Sequence, residues 1–186
     1  SVLISILNSI LAAFSEVYVA VLGVYFKLQT FIYMPANGIV QGMRPIIGYN
    51  YGAGEKSRVR STVRYSLACA AALMLLGTLL SLLIPEQIFA LFDADTELME
   101  AGVTALRIIC LGFLVSSVGI IYSGTFEALG SGRNSLIISL LRQFMITIPL
   151  SFILSKLCGP IGVWISFPAG ELCASAAAFF LLAHYE

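Results

Sequence analysis

Six charge-poor apolar stretches follow one another along this chain, at about residues 1–15, 17–48, 65–85, 108–126, 136–155 and 160–183. A helix needs about 20 apolar residues to cross the hydrocarbon of a bilayer, with a range near 17–25. The stretches meet that requirement repeatedly and predict an all-α membrane protein, a bundle of six transmembrane helices with the first truncated. Composition points the same way. Apolar residues are 59% of the 186 and charged residues 11%, against roughly 45–50% and about 25% in a soluble domain. Ten Lys and Arg balance ten Asp and Glu, which argues against a nucleic-acid binder, an acidic tail or a disordered chain.

The first fifteen residues carry no charge and no positive n-region, so they read as the remainder of a span and not as a signal peptide. The chain is expected to be a piece of a longer protein. Cys69, Cys110, Cys158 and Cys173 lie in apolar stretches without C-x-x-C spacing and are expected as buried free thiols. The single histidine, His184, leaves no set of zinc ligands.

The second stretch is too long for one straight crossing. About 32 residues at 1.5 Å each reach about 48 Å, against ~30 Å of hydrocarbon. Met34-Pro35-Ala36-Asn37-Gly38 interrupts it, since proline cannot donate a backbone hydrogen bond and glycine weakens a helix. A helix kinked there and running past the membrane surface is expected.

Charge alternates between connections. Lys56, Arg58, Arg60 and Arg64 follow the second span, whereas Glu86, Asp93, Asp95, Glu97 and Glu100 follow the third, and Arg133 follows the fourth. The positive-inside rule then places residues 54–64 and 127–135 and the C-terminus in the cytoplasm, and residues 86–100 outside. Ile88-Phe89-Ala90-Leu91-Phe92 reads as a short interfacial helix.

No enzyme signature is present. Gly48 to Ser57 is glycine-rich, but Glu55 separates Gly54 from Lys56-Ser57 and breaks the phosphate-loop pattern. Gly112 with Ser116 and Gly119 with Ser123 read as close helix packing. Ionisable side chains within spans are costly and usually face a bundle interior or a cavity. Lys27 and Glu171 are read first as cavity-facing. Arg142 is divided between a packing ion pair and a role in function. Arg44 and Glu127 read first as interfacial anchors or helix-end charges, with Asn50 a further candidate at the same end. Gln29, Asn37 and Gln41 recur at spacings of eight and four and are expected on one polar face, a substrate pathway or a set of interhelical hydrogen bonds.

Beyond these single residues, a longer pattern runs through the chain. Gly23-Val24-Tyr25-Phe26-Lys27-Leu28-Gln29, Met34-Pro35, Gln41-Gly42 and Pro45-Ile46-Ile47-Gly48-Tyr49-Asn50-Tyr51-Gly52-Ala53 resemble the multidrug and toxic compound extrusion (MATE) family. Leu91-Phe92, Ala105-Leu106-Arg107-Ile108, Ala128-Leu129-Gly130, Leu141-Arg142-Gln143 with Pro149, and Gly162-Val163-Trp164 with Pro168 extend the resemblance. It implies one lobe of a twelve-helix transporter, the C-terminal one, with the N-terminal lobe as its missing partner. It further implies alternating access in the cell membrane, with small organic, cationic substrates exchanged for protons or sodium ions and no other cofactor. The family's acidic residue in the first helix of the N-terminal lobe has no counterpart in this chain. Some members carry a carboxylate within the fourth helix of this lobe, and here Glu127 lies at the end of that span. A lipid-linked oligosaccharide flippase of the same superfamily and a non-transporting membrane subunit are the alternatives. The flippase would place more cations on the cavity, with Lys27, Arg44 and Arg142 as candidates.

Overall fold

A computed structural model describes residues 2–91, 95–141 and 145–185, and these are helical apart from short turns. In chain order the helices are α1 (Val2–Ala12), α2 (Glu16–Gly52), α3 (Lys56–Leu83), α4 (Pro85–Ala90), α5 (Thr96–Ile109), α6 (Phe113–Ala128), α7 (Gly132–Leu140), α8 (Thr147–Cys158) and α9 (Pro160–Tyr185). A 3-10 turn, Cys110–Gly112, joins α5 to α6 without a loop. Four helical tracts are long and apolar enough to cross a membrane: Glu16–Gly52, Lys56–Leu83, Thr96–Ala128 and Pro160–His184. α1, and α7 with α8, pack against them as shorter pieces and complete a bundle of six tracks.

Local chemistry sets the helix ends. Ser15 caps α2 by accepting the Val17 N–H through its hydroxyl, and Asp95 caps α5 by accepting the Leu98 N–H at 2.8 Å. Pro85 opens α4, where its missing N–H costs nothing. α2 and α6 end alike. The Glu55 N–H returns to the Asn50 carbonyl at 2.8 Å and the Ser131 N–H to Phe126 at 2.7 Å. Each turn pivots on a glycine with positive φ, Gly54 at 77° and Gly130 at 80°, the left-handed conformation such a C-terminal cap requires. The glycine-rich run from Gly48 is therefore a helix end and its cap.

The observed ends differ from the expected spans in two places. α2 is helical from Glu16 to Gly52, with Pro35 and Pro45 inside it, so the Met34–Gly38 segment does not interrupt it. Both prolines are exposed, so neither ring is packed against a neighbouring helix, and a helix tolerates the lost hydrogen bond when its other contacts hold. The fourth span begins not near residue 108 but at Thr96, so much of the acidic third connection is itself helix. Within the expected span 136–155, α7 ends at Leu140 and α8 begins at Thr147, and residues 142–144 between them lie outside the described residues. Phe92 and Asp93, placed in that connection by sequence, lie outside the described residues.

The main core lies where α2 packs against α3, α5 and α6, with α9 against α6; Leu22, Met43, Ile47, Phe113 and Trp164 are almost fully buried there. Phe126 is buried in a smaller cluster with Ile138 and Ala178. Lipid is as apolar as leucine, so close approach replaces hydrophobic burial as the source of helix association. A Cβ on Gly124 would lie 2.6 Å from Val40 Cγ1, and one on Gly77 3.2 Å from Ile32 Cγ2. Facing Leu154, Gly162 leaves so little room that a Cβ would run into the Leu154 carbonyl oxygen. Of the four cysteines, only Cys110 is buried; Cys69, Cys158 and Cys173 are exposed on the bundle's surface. Hydropathy does not separate a lipid-facing position from a core one, which is why the sequence pattern alone points all four inward.

Candidate functional site: the polar face of α2

α2 divides into two faces. Val21, Leu22, Tyr25, Tyr33, Ala36, Val40, Met43 and Ile47 are buried against the bundle. Gly23, Lys27, Thr30, Met34, Asn37, Gly38, Gln41 and Pro45 are all exposed. Their spacing of three to four residues is one helical stripe. Among the described residues nothing approaches it at three points: a Cβ on Gly23, Gly38 or Gly42 would meet nothing within 4 Å. The large exposed side chains in the second half of α3 are of another kind, Leu73, Leu75, Leu76, Leu79, Leu80 and Leu83. A leucine surface suits acyl chains, whereas a stripe that sets two amides, a hydroxyl and an ammonium among glycines suits them less, although α2 also exposes Phe31, Met34, Ile46 and Tyr49.

This stripe regroups the sequence candidates. Lys27, Asn37 and Gln41 share it, and Gln29 does not, being half-buried on the other side of the helix. Eight residues advance a helix by about 80° beyond two full turns, enough to carry Gln29 off the face that Asn37 and Gln41 occupy. Thr30, which sequence reasoning passed over, joins the stripe. Its hydroxyl donates to the Phe26 carbonyl at 3.0 Å, leaving the oxygen free to accept.

Arg44 and Glu127 come together as an ion pair between α2 and α6. The second carboxylate oxygen of Glu127 accepts from Ser135 Oγ at 3.0 Å, and Ser135 Oγ lies 2.7 Å from Ser123 Oγ. The group ties α2, α6 and α7 together at one end of the bundle. Asn50 is structural there as well: it is buried, and its Nδ2 donates to the Ile46 carbonyl at 2.9 Å.

Glu171 lies on α9, away from the stripe. It is half-buried, with Oε2 withdrawn from the surface. A Cβ added to Gly112, at the α5–α6 junction, would lie 3.6 Å from Glu171 Cβ and 2.9 Å from Pro168 Cα. The missing side chain of Gly112 is what lets α9 approach at this height. Among the described residues no ion pair joins Glu171 to Lys27. Arg142 lies outside the described residues. Two hydroxyls that sequence reasoning missed support the same junction. Thr78 Oγ1 donates to the Cys110 carbonyl at 3.3 Å, and Ser175 Oγ to the Val115 carbonyl at 2.7 Å. A 3-10 turn inside a membrane helix disturbs the regular hydrogen bonding, and such hydroxyls answer the carbonyls it loosens.

Comparison with known proteins brings in longer chains. The family model described as MatE matches residues 1–153. The multidrug export protein MepA of Staphylococcus aureus (strain MSSA476) is 29% identical over 173 residues, covering 92% of this chain and 38% of its own. The structure of the MATE multidrug transporter DinF-BH superposes with a TM-score of 0.82 at 36% identity, over 95% of this chain and 40% of that one. A MATE structure in the bent conformation superposes with a TM-score of 0.92 over 99% of this chain and 41% of that one; at 22% identity this speaks for the fold alone. The chain thus spans about 38% of the length of the curated relative it matches.

Proposed function

Because this chain belongs to the MatE family, we propose that it is the C-terminal lobe of a multi-pass membrane antiporter that exports small organic cations in exchange for protons or sodium ions. The observation that carries this reading is the uncovered polar stripe on α2. A second lobe set against that stripe would enclose a cavity offering amides, a hydroxyl oxygen and glycine backbone on one side. Several weak, interchangeable polar contacts suit substrates of varied shape better than one tight pocket does. Lys27 lies fourteen residues from Gln41, about 21 Å along the helix, so a cationic substrate would sit toward Asn37 and Gln41 and away from the ammonium.

Transport follows from two access states whose relative energy the coupling ion changes. In this lobe Glu171 is the carboxylate proposed to respond to that ion. It is half-buried beside the Gly112 junction, where α9 meets α6, so a change in its charge acts on the packing of the two helices. A lipid-linked oligosaccharide carrier would need several free cations to hold a pyrophosphate. Among the described candidates Arg44 is committed to Glu127, leaving Lys27 on the stripe, which supports the antiporter reading.

The test uses the intact polypeptide in proteoliposomes, with a fluorescent organic cation and an imposed proton or sodium gradient. Transport should depend on one of the two gradients and fall at least severalfold in Glu171→Gln, with expression and melting unchanged. Normal transport by Glu171→Gln across a pH series would remove Glu171 from the coupling mechanism.

A further inference from the structure

A cavity of about 520 Å³ opens at the Arg44–Glu127 end of the bundle between α2, α3, α6 and α9. Its rim carries Lys56, Arg60 and Arg64 from α3. Spaced by four, the three cations form one stripe down the helix, while Arg58, in the same basic connection, does not line the cavity. The described residues that line it include no carboxylate. Val63, Leu67, Leu129 and Leu182 add apolar groups to the lining, and on α3 only Leu67 lies beyond Arg64. Leu67 lies eleven residues beyond Lys56, about 16 Å along α3. Tyr51, 45% exposed, stands at the mouth, and tyrosine is enriched at the level of lipid head groups.

We propose that this cavity binds the head group of an anionic phospholipid, with its phosphodiester among Lys56, Arg60 and Arg64 and its acyl chains along Val63, Leu67 and Leu182. A phosphate complements the positive charge of the rim, and basic pockets between transmembrane helices recognise such head groups. The volume lies within the range of small-ligand sites, roughly 300–1,000 Å³. The apolar groups of the lining give a free phosphate nothing to contact and give a lipid a path for its chains. Three cations would also repel an organic cation, so this site is separate from the α2 stripe and does not depend on the transport reading. If the basic residues served only to orient the chain in the membrane, Arg58 would count as much as the other three.

The experiment is native mass spectrometry of the intact polypeptide, titrated with phosphatidylglycerol or phosphatidylcholine in detergent. The wild type should retain phosphatidylglycerol in preference to phosphatidylcholine. Combined Lys56→Gln, Arg60→Gln and Arg64→Gln should weaken that binding by at least about tenfold, while Arg58→Gln leaves it unchanged. Equal retention of the two lipids by the wild type would overturn the proposal, as would an equal loss in Arg58→Gln. Displacement of the lipid by millimolar inorganic phosphate would overturn it in favour of a soluble anion. Should the triple variant fail to fold, the wild type decides alone: its melting temperature should rise with phosphatidylglycerol more than with phosphatidylcholine, and the absence of that difference rejects the site.

Discussion

Arg44 and Glu127 show how far a residue's role depends on what it meets. Each reads as a helix-end charge in sequence, 83 positions apart, and the fold joins them, with side chains 43% and 40% exposed. At that exposure an ion pair contributes about 0.2–1 kcal/mol, and the hydrogen bond from Ser135 adds to what Glu127 holds. Arg44→Ala and Glu127→Ala are each expected to lower the melting temperature, and the double variant to lose less than their sum. A double-mutant cycle measures the difference; strict additivity would show that the pair contributes nothing. Lys27 stands on the exposed stripe of α2 with Asn37 and Gln41, and Gln29 does not. Spacing groups Gln29 with Asn37 and Gln41, and small departures from helical periodicity accumulate over eight residues until they change the face.

Among the elements, α8 and α9 form a close-packed hairpin. Gly159 turns the chain with φ 74°, and Gly162 then lies against the Leu154 carbonyl, a backbone group that cannot swing aside. Gly162→Ala is therefore expected to destabilise the bundle by about 1–3 kcal/mol, the usual range for overpacking. Thermal melting of the purified protein checks this, with Gly132→Ala as a control, since a Cβ there meets nothing within 4 Å. Equal melting of the two variants would mean that α8 and α9 do not pack this closely. α2 carries the opposite lesson. Two prolines inside 37 residues look like a break, and the helix nevertheless continues, because its buried face is held along its length by α3, α5 and α6.

For the whole molecule, the fold sorts charge to its two ends. Lys56, Arg60 and Arg64 share the cavity at one end with Tyr51 and Leu129. Glu97 and Glu100 lie at the other, beside Ser15, Val17 and Tyr18 at the start of α2. With the basic end expected in the cytoplasm, a cysteine placed at Ser57 should be labelled by an impermeant maleimide only from inside. One at Thr96 should be labelled only from outside. Both positions are exposed and near helix starts, so access does not limit the reaction. Labelling of both from one side would overturn this orientation.

The helical, membrane-spanning class of the chain was legible in the sequence because the bilayer imposes it on every segment separately: each apolar run has to satisfy its own backbone. The resemblance to the extrusion family was legible for a related reason, since Pro45 to Ala53 and its companions are contiguous in the chain. Properties that depend on neighbours were not. Hydropathy assigns the same value to a leucine facing lipid and one facing the core, so Cys69, Cys158 and Cys173 read as buried although they lie on the surface. Only the tertiary structure paired Arg44 with Glu127, set Gly112 against Pro168 and Glu171, and left one face of α2 uncovered. Each is a relation between segments distant in the chain, decided by which helices approach closely enough to touch.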